Sequence, residues 1–251
     1  MQYSKIVLIA VGLLIIGILR ELFAQPAKTS MRAKKDSSGF EGSIVYKLEV
    51  GGREGNKIAF MNGRKFIYHF KGPFVLGYLV DGDSLGSFLG KVLIRWDSGY
   101  VYHIFPHQKE IQFHKLSAER ATQNEYSLPL KFTGQRAYIQ GYECSLWVAN
   151  LHMRKTTGRT ILQLWVSKDI IPSSQKNFAT AVSTLENLFW ISSNFYGFPL
   201  KKRLLYLDAG LEIIFTAEKI IPSSLPPALF ELPDKFNMIP LPTFPFLNLN
   251  H

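Results

Sequence analysis

The chain has 251 residues, 47% of them hydrophobic and 14% aromatic, and a formal net charge of +10. That apolar content excludes a disordered polypeptide, and the length suits one large domain or two small ones. Nineteen Phe and eleven Tyr lean towards sheet, because aromatic side chains suit a pleated, half-buried surface.

The N-terminus opens with Lys5 and an uninterrupted apolar or glycine run from Ile6 to Leu19, followed by Leu22-Phe23-Ala24 as a cleavage candidate. As a helix the run would reach roughly 21 Å, short of the roughly 30 Å hydrocarbon core. Residues 1–24 therefore read as a cleaved export segment in preference to a spanning anchor. Arg20 and Glu21, charged and close to the cut, keep a retained inner-membrane anchor open. Residues 25–38 form a basic linker. Its Lys28, Arg32, Lys34 and Lys35 are candidates for contact with an anionic membrane surface, or a solvated tail. Export to a periplasm or cell envelope of the Gram-negative type leaves nucleic acid unsuited as a partner for the basic balance.

From Phe40 the pattern has period two. Ile44, Tyr46, Leu48 and Val50 alternate with Val45, Lys47 and Glu49, as a half-buried strand requires. Two strands, 57–61 and 65–70, flank Asn62-Gly63, a dipeptide suited to a tight hairpin. Phe66, Tyr68 and Phe70 should share one face, and Ile67 and His69 the other. Residues 72–90 read as a loop with one short strand at 74–80. Strands follow at 91–96, 100–105 and 109–114. Residues 116–128 are polar and unpatterned.

Strands resume at 136–140 and 143–150 across a turn at Gln140-Gly141, then at 160–167. Phe178, Val182, Leu185 and Phe189 recur at helical spacing, which predicts a helix over about 175–192. Further strands are expected at 200–207, 211–216 and 217–221, a helical turn at 226–230, and an extended Pro-rich tail from Pro233. Short turns between about ten to twelve strands imply a mainly antiparallel sheet. Many strands carry apolar residues on both faces, as expected of a sheet that curls around an interior while something covers part of its other side. The single cysteine, Cys144, excludes an internal disulfide and reads as a small buried hydrophobe. It is also too far from the apolar run to be a lipid-attached N-terminal cysteine.

Gly141-Tyr142-Glu143-Cys144, Leu164-Trp165-Val166-Ser167-Lys168-Asp169 and Gly197-Phe198-Pro199-Leu200 resemble the domain of unknown function 4412 family. Thr216-Ala217-Glu218-Lys219-Ile220 and Leu229-Phe230-Glu231-Leu232-Pro233 are similar to that family's ending. The resemblance covers about residues 40–237, its specific part 138–237. Such domains resemble the outer-membrane lipoprotein carrier superfamily. The resemblance implies a mainly β (α+β) fold: a curved antiparallel sheet forming an unclosed half-barrel, with one covering helix, here 175–192. The expected organisation is an export segment (1–24), the linker (25–38), one carrier-like β domain (39–237) and a Pro-rich tail (238–251). The basic linker and the prolines at 239–246 depart from the pattern. The family brings no catalytic residues to transfer.

Asp81-Gly82-Asp83-Ser84-Leu85-Gly86 begins like a calcium loop, but Leu85 and Val92 stand where ligands are required. The glycines of 86–91 fail the P-loop spacing. His103, His107 and His114 lack an acidic or Cys partner to complete a zinc site. No nucleophile-elbow, H-E-x-x-H or C-x-x-C motif is present. The sequence therefore points to no enzyme, cofactor or metal. In a half-barrel with a lid helix, Tyr68, Tyr102, Trp147, Trp165, Phe189 and Trp190 would either line a cavity for a lipid or acyl chain or fill the core. The leading expectation is a non-catalytic envelope protein that binds a hydrophobic ligand in the half-barrel. The alternative is an envelope structural or protein-interaction module acting through a sheet edge or the C-terminal tail.

Overall fold

The computed structural model describes residues 39–80, 86, 89–115, 130–152, 159–171 and 197–241. They form one twelve-stranded sheet that curves without closing into a barrel. The first six strands are β1 (Gly42–Gly52), β2 (Lys65–Lys71), β3 (Phe74–Leu79), β4 (Lys91–Arg95), β5 (Tyr100–Phe105) and β6 (Glu110–Lys115). The rest are β7 (Lys131–Ile139), β8 (Tyr142–His152), β9 (Arg159–Ser167), β10 (Phe198–Tyr206), β11 (Leu211–Pro222) and β12 (Asn237–Pro240). Their spatial order is β12-β6-β5-β4-β3-β2-β1-β11-β10-β9-β8-β7. Two antiparallel meanders, β1–β6 and β7–β11, are thus joined side by side where β1 pairs with β11. Only β12 runs parallel to its neighbour, β6.

The alternation read in β1 and β2 holds in space. Ile44, Tyr46 and Leu48 are buried on one face, with Tyr68 and Phe70 opposite or beside them in register. The segment 57–61 is a correction. Gly55–Met61 forms a 3-10 helix, not a strand. Ile58 is its one buried large apolar residue, so no period-two face exists to hold it in a sheet. Asn62 is extended (φ −66°) and Gly63 has φ +78°, with Arg64 N–H donating to Met61 C=O at 3.3 Å. This is a turn of type II, which requires glycine only at its third position, and not a two-residue hairpin. The hairpin at Gln140-Gly141 does have positive φ at both residues, 50° and 81°.

The two strands expected at 211–216 and 217–221 are one strand of twelve residues. The register shift against Val45/Tyr46 accommodates an extra residue between them. The Pro-rich end is also corrected. Asn237–Pro240 adds to the sheet edge beside Glu110–Phe113, where a proline is tolerated. The helix expected at 175–192, residues 1–38 and residues 242–251 lie outside the described residues.

Curvature follows from side-chain contacts. Phe70 and Phe198 stand on β2 and β10, three strand positions apart, or about 14 Å in a flat sheet. Their ring centroids are 5.3 Å apart and edge-to-face, and Tyr46 O–H reaches across β11 to donate to Pro199 C=O at 2.8 Å. The face bearing Ile44, Tyr46, Tyr68, Phe70, Val75, Ile94 and Val101 is therefore the concave one, and these residues form the main core.

The convex face of β3–β6 is apolar too. Leu76, Leu93, Ile104 and Ile111 alternate with the concave residues and are covered by Phe230, Leu225, Leu229, Leu232 and Phe236. The cover inferred from two-sided apolar strands is therefore the chain's own C-terminal segment, crossing the outside of the sheet before adding β12. A polar clamp fastens its start. Glu41 accepts from Leu225 N–H at 2.8 Å and Lys71 Nζ at 2.8 Å, while Lys71 also donates to Leu225 C=O at 2.6 Å. These donors hold the Glu41 carboxyl below its ordinary pKa.

Phe230, 3% exposed, is the apolar anchor of this strap. Phe230→Ala is expected to lower unfolding free energy by roughly 3–5 kcal/mol through lost burial and an unfilled cavity. Urea denaturation followed by circular dichroism would measure it.

Candidate functional site

The candidate site is the concave face. Strand register carries one surface across six strands, from Trp147 on β8 through Leu164, Lys202, Phe215 and Leu48 in turn. It continues beside them through Leu162, Leu204 and Ile213, and through Tyr46 to Tyr68 on β2. Leu162 and Leu164 are 0% exposed, and Leu204 is buried. Lys202 is the one charged residue in this apolar surface, buried at 2% exposure, and burial pushes its ammonium well below the ordinary lysine pKa.

The six aromatic residues expected to line a cavity do not form one cluster among the described residues. Tyr68 is on the concave face, edge-to-face with Tyr46 at 5.8 Å. Its ring lies over Gly77, where an added Cβ would fall 2.5 Å from Cε1. Glycine there is what lets the ring lie flat against β3. Trp147 is on the same face, half-buried, with its ring 5.5 Å from that of Phe132.

Tyr102 is a correction. It pairs with Leu93 and Phe113 on the convex face and packs against the strap-covered cluster. Side chains alternate along a strand, so no ligand on the concave face can touch it. Trp165 is half-buried, packs against the main core that holds Tyr68, and carries the Lys201 ammonium 5.1 Å from its ring centre. Phe189 and Trp190, like the basic residues Lys28, Arg32, Lys34 and Lys35, lie outside the described residues.

Among the described residues no three His, Cys, Asp or Glu side chains converge. The His103 and His114 rings stack at 5.7 Å, while His107 sits in the β5–β6 turn. Cys144 is fully buried, and burial raises its thiol to about 11, so it is held as a neutral thiol.

One polar relay escaped the sequence reading. Ser43 Oγ lies 2.7 Å from His69 Nδ1, and Tyr78 Oη lies 3.1 Å from His69 Nε2, linking β1, β2 and β3 on the convex face. A serine hydroxyl against an imidazole is the start of a nucleophile–base pair. Here Ser43 is only 5% exposed and the third member is a phenol, so the arrangement serves as a strand-to-strand bridge. Its signal in sequence was two polar residues at outward positions of otherwise apolar strands.

Burial, then the nearby Lys91 ammonium, lower the His69 pKa from its usual 6.5, so the folded chain resists a proton that the unfolded chain accepts. The stability this contributes is complete above about pH 6.5 and declines as pH falls from there towards the folded pKa. His69→Gln is expected to flatten the acid limb of a stability–pH curve, read by denaturant midpoints across that range.

The chain belongs to the domain of unknown function 4412 family (DUF4412), whose model matches residues 90–236. The match begins upstream of the motifs that carried the resemblance. No curated protein matches the sequence.

Among solved structures the chain is similar to PNGF-II at 15% identity and a TM-score of 0.43 over 80% of this chain. The chain spans 31% of PNGF-II. It is similar to the LolA superfamily protein NE2245 from Nitrosomonas europaea at 9% identity and a TM-score of 0.35, covering 88% of this chain and 97% of that one. MucB is similar at 12% identity and a TM-score of 0.38, over 92% and 66% of the two chains. None superposes closely enough to transfer a ligand or a residue. Among the described residues no helix is long and apolar enough to cross a membrane.

Proposed function

We propose that this is an exported, non-catalytic envelope protein that holds a hydrophobic ligand, a lipid or acyl chain, against the concave face of its open sheet. The observation that carries the reading is the run of apolar side chains from Trp147 to Tyr68, interrupted by Lys202, on a sheet that curves but does not close. Leu162, Leu164, Leu204 and Tyr68 are already buried within the chain, so a guest gains roughly 25 cal/mol for each Å² it covers on half-buried side chains such as Trp147 and Ile213. Trp147 and Tyr68 are the contacts assigned to it, and Phe189 and Trp190 remain candidates by sequence.

A second reading has its own observation. Among the described residues β7 is an unpaired edge of the sheet, and Lys131 to Arg136 along it are all exposed. An edge strand of this kind accepts an added strand from a protein partner. The opposite edge is taken by β12, so residues 238–240 of the expected interaction tail are used within the fold.

The test is titration with a fluorescent long-chain fatty acid. Saturable binding near one probe per chain is expected, with Trp147→Ala weakening it roughly tenfold and the convex-face variant Tyr102→Ala leaving it unchanged. Absence of saturable binding, or equal loss in both variants, would overturn the reading.

A further inference from the structure

Three of the large exposed apolar residues gather at one end of the sheet. Phe60, Val80 and Leu207 are 41%, 45% and 44% exposed. They stand on the β1–β2 connection, just after β3 and just after β10. Backbone bonds tie these segments into one rim. Val80 N–H donates to Lys65 C=O at 2.8 Å, Glu54 N–H to Gly210 C=O at 3.2 Å, and Leu207 N–H to Arg159 C=O at 2.9 Å. Arg64 Nε donates to Phe60 C=O at 3.0 Å and Arg53 Nη2 to Asp208 C=O at 3.3 Å. Single exposed apolar residues are ordinary on a protein surface. Three on one bonded rim, with Arg64 bonded at Phe60 and Arg53 beside Leu207 at Asp208, form a patterned surface.

Among the described residues the charges at and near the rim include Arg53, Lys57, Arg64, Lys65 and Arg159 against Glu54, Asp208, Glu212 and Glu218. Their reach differs as well as their number. The Arg53, Lys57 and Arg159 side chains are 74%, 74% and 67% exposed, whereas Glu54 is 29% and Asp208 44% exposed. Asp208 is further turned into the rim by the Arg159 N–H, which it accepts at 2.5 Å. A surface approaching this end therefore meets cationic tips and apolar side chains first. At the other end of the sheet, Tyr138 and Ile221 are 74% and 45% exposed, and Arg136 is paired with Glu143 as Lys57 and Arg159 of the rim are with Glu54 and Asp208.

We propose that this rim docks on an anionic lipid surface. Phe60, Val80 and Leu207 enter the head-group boundary, and Arg53, Lys57, Arg64 and Arg159 lie against lipid phosphates. Apolar contact and cationic attraction together are what hold a peripheral protein at such an interface. The proposal goes beyond the ligand reading and does not require it, since a rim can dock with or without cargo behind it.

The test uses the full chain with a single added cysteine at Phe60→Cys, Leu207→Cys or, as the opposite-end control, Tyr138→Cys. Each carries an environment-sensitive fluorophore; the Cys144-only chain, whose thiol is buried, is the blank. Phosphatidylcholine vesicles with and without phosphatidylglycerol are added. Emission at positions 60 and 207 should rise severalfold on the anionic vesicles and be quenched by spin-labelled acyl chains, while position 138 stays in water. The pair Arg53→Glu and Lys57→Glu should weaken the apparent lipid affinity by roughly tenfold or more.

The chain enters β1 at Gly42, at the same end of the sheet as Tyr138, so tethering by residues 6–19 alone would not favour positions 60 and 207. Equal response at all three positions would therefore overturn the proposal, as would indifference to charge reversal. No response at 60 and 207 would also overturn it and leave the rim to a protein partner. The fatty-acid titration reports separately, so either idea can fail while the other stands.

Discussion

The pairing of β1 with β11 is the contact on which the architecture depends. It runs the whole length of β1, from Gly42 opposite Pro222 to Gly52 opposite Leu211, and joins the two meanders into one sheet. Without it each meander would have a long apolar edge and half a core. With it, Ile44, Tyr46 and Leu48 stand between residues from both halves, and rings from β2 and β10 meet across them. The strands it joins are distant in sequence, so a large loop-closure entropy opposes the pairing until the aromatic contacts on the concave side form.

A sheet curved this way has two further surfaces to satisfy. Its convex side over β3–β6 is as apolar as its concave side, and the C-terminal segment resolves that by crossing it and finishing as β12. One stretch of chain therefore covers a face and blunts an edge at once. The Glu41–Lys71 clamp begins this crossing, and the parallel β12–β6 pairing ends it. The concave face is left with an apolar surface that extends beyond the main core onto β8–β10, where the buried Lys202 is set among leucines. Among the described residues the β7 edge and the basic, apolar-tipped rim are places where the sheet meets its surroundings.

Much of this was legible in the sequence because strand identity is local. Period-two alternation located β2, β5, β6 and β9 to within a residue and β1 to within two, and two-sided apolar strands foretold a covered outer face. Pairing order was not legible, since nothing local in Ile44 or Ile220 says that they are opposite each other. The identity of the outer cover was equally hidden. Leu225, Leu229 and Phe230 look like an apolar turn until the positions of Leu93 and Ile104 are known.

The misread elements share a cause. Residues 57–61 have apolar content without a buried face, and Asn237–Pro240 becomes a strand only because β6 offers it an edge. The aromatic site residues were only partly legible. Parity within a strand was clear, but which parity faced inwards on β5 depended on long-range order, and Tyr102 therefore went to the wrong side.

Native mass spectrometry of the purified protein tests the concave apolar surface most directly. A stoichiometric adduct that lipid extraction identifies as a lipid or acyl chain is the predicted result. A bare protein mass that stays unchanged when lipids are added back would contradict it.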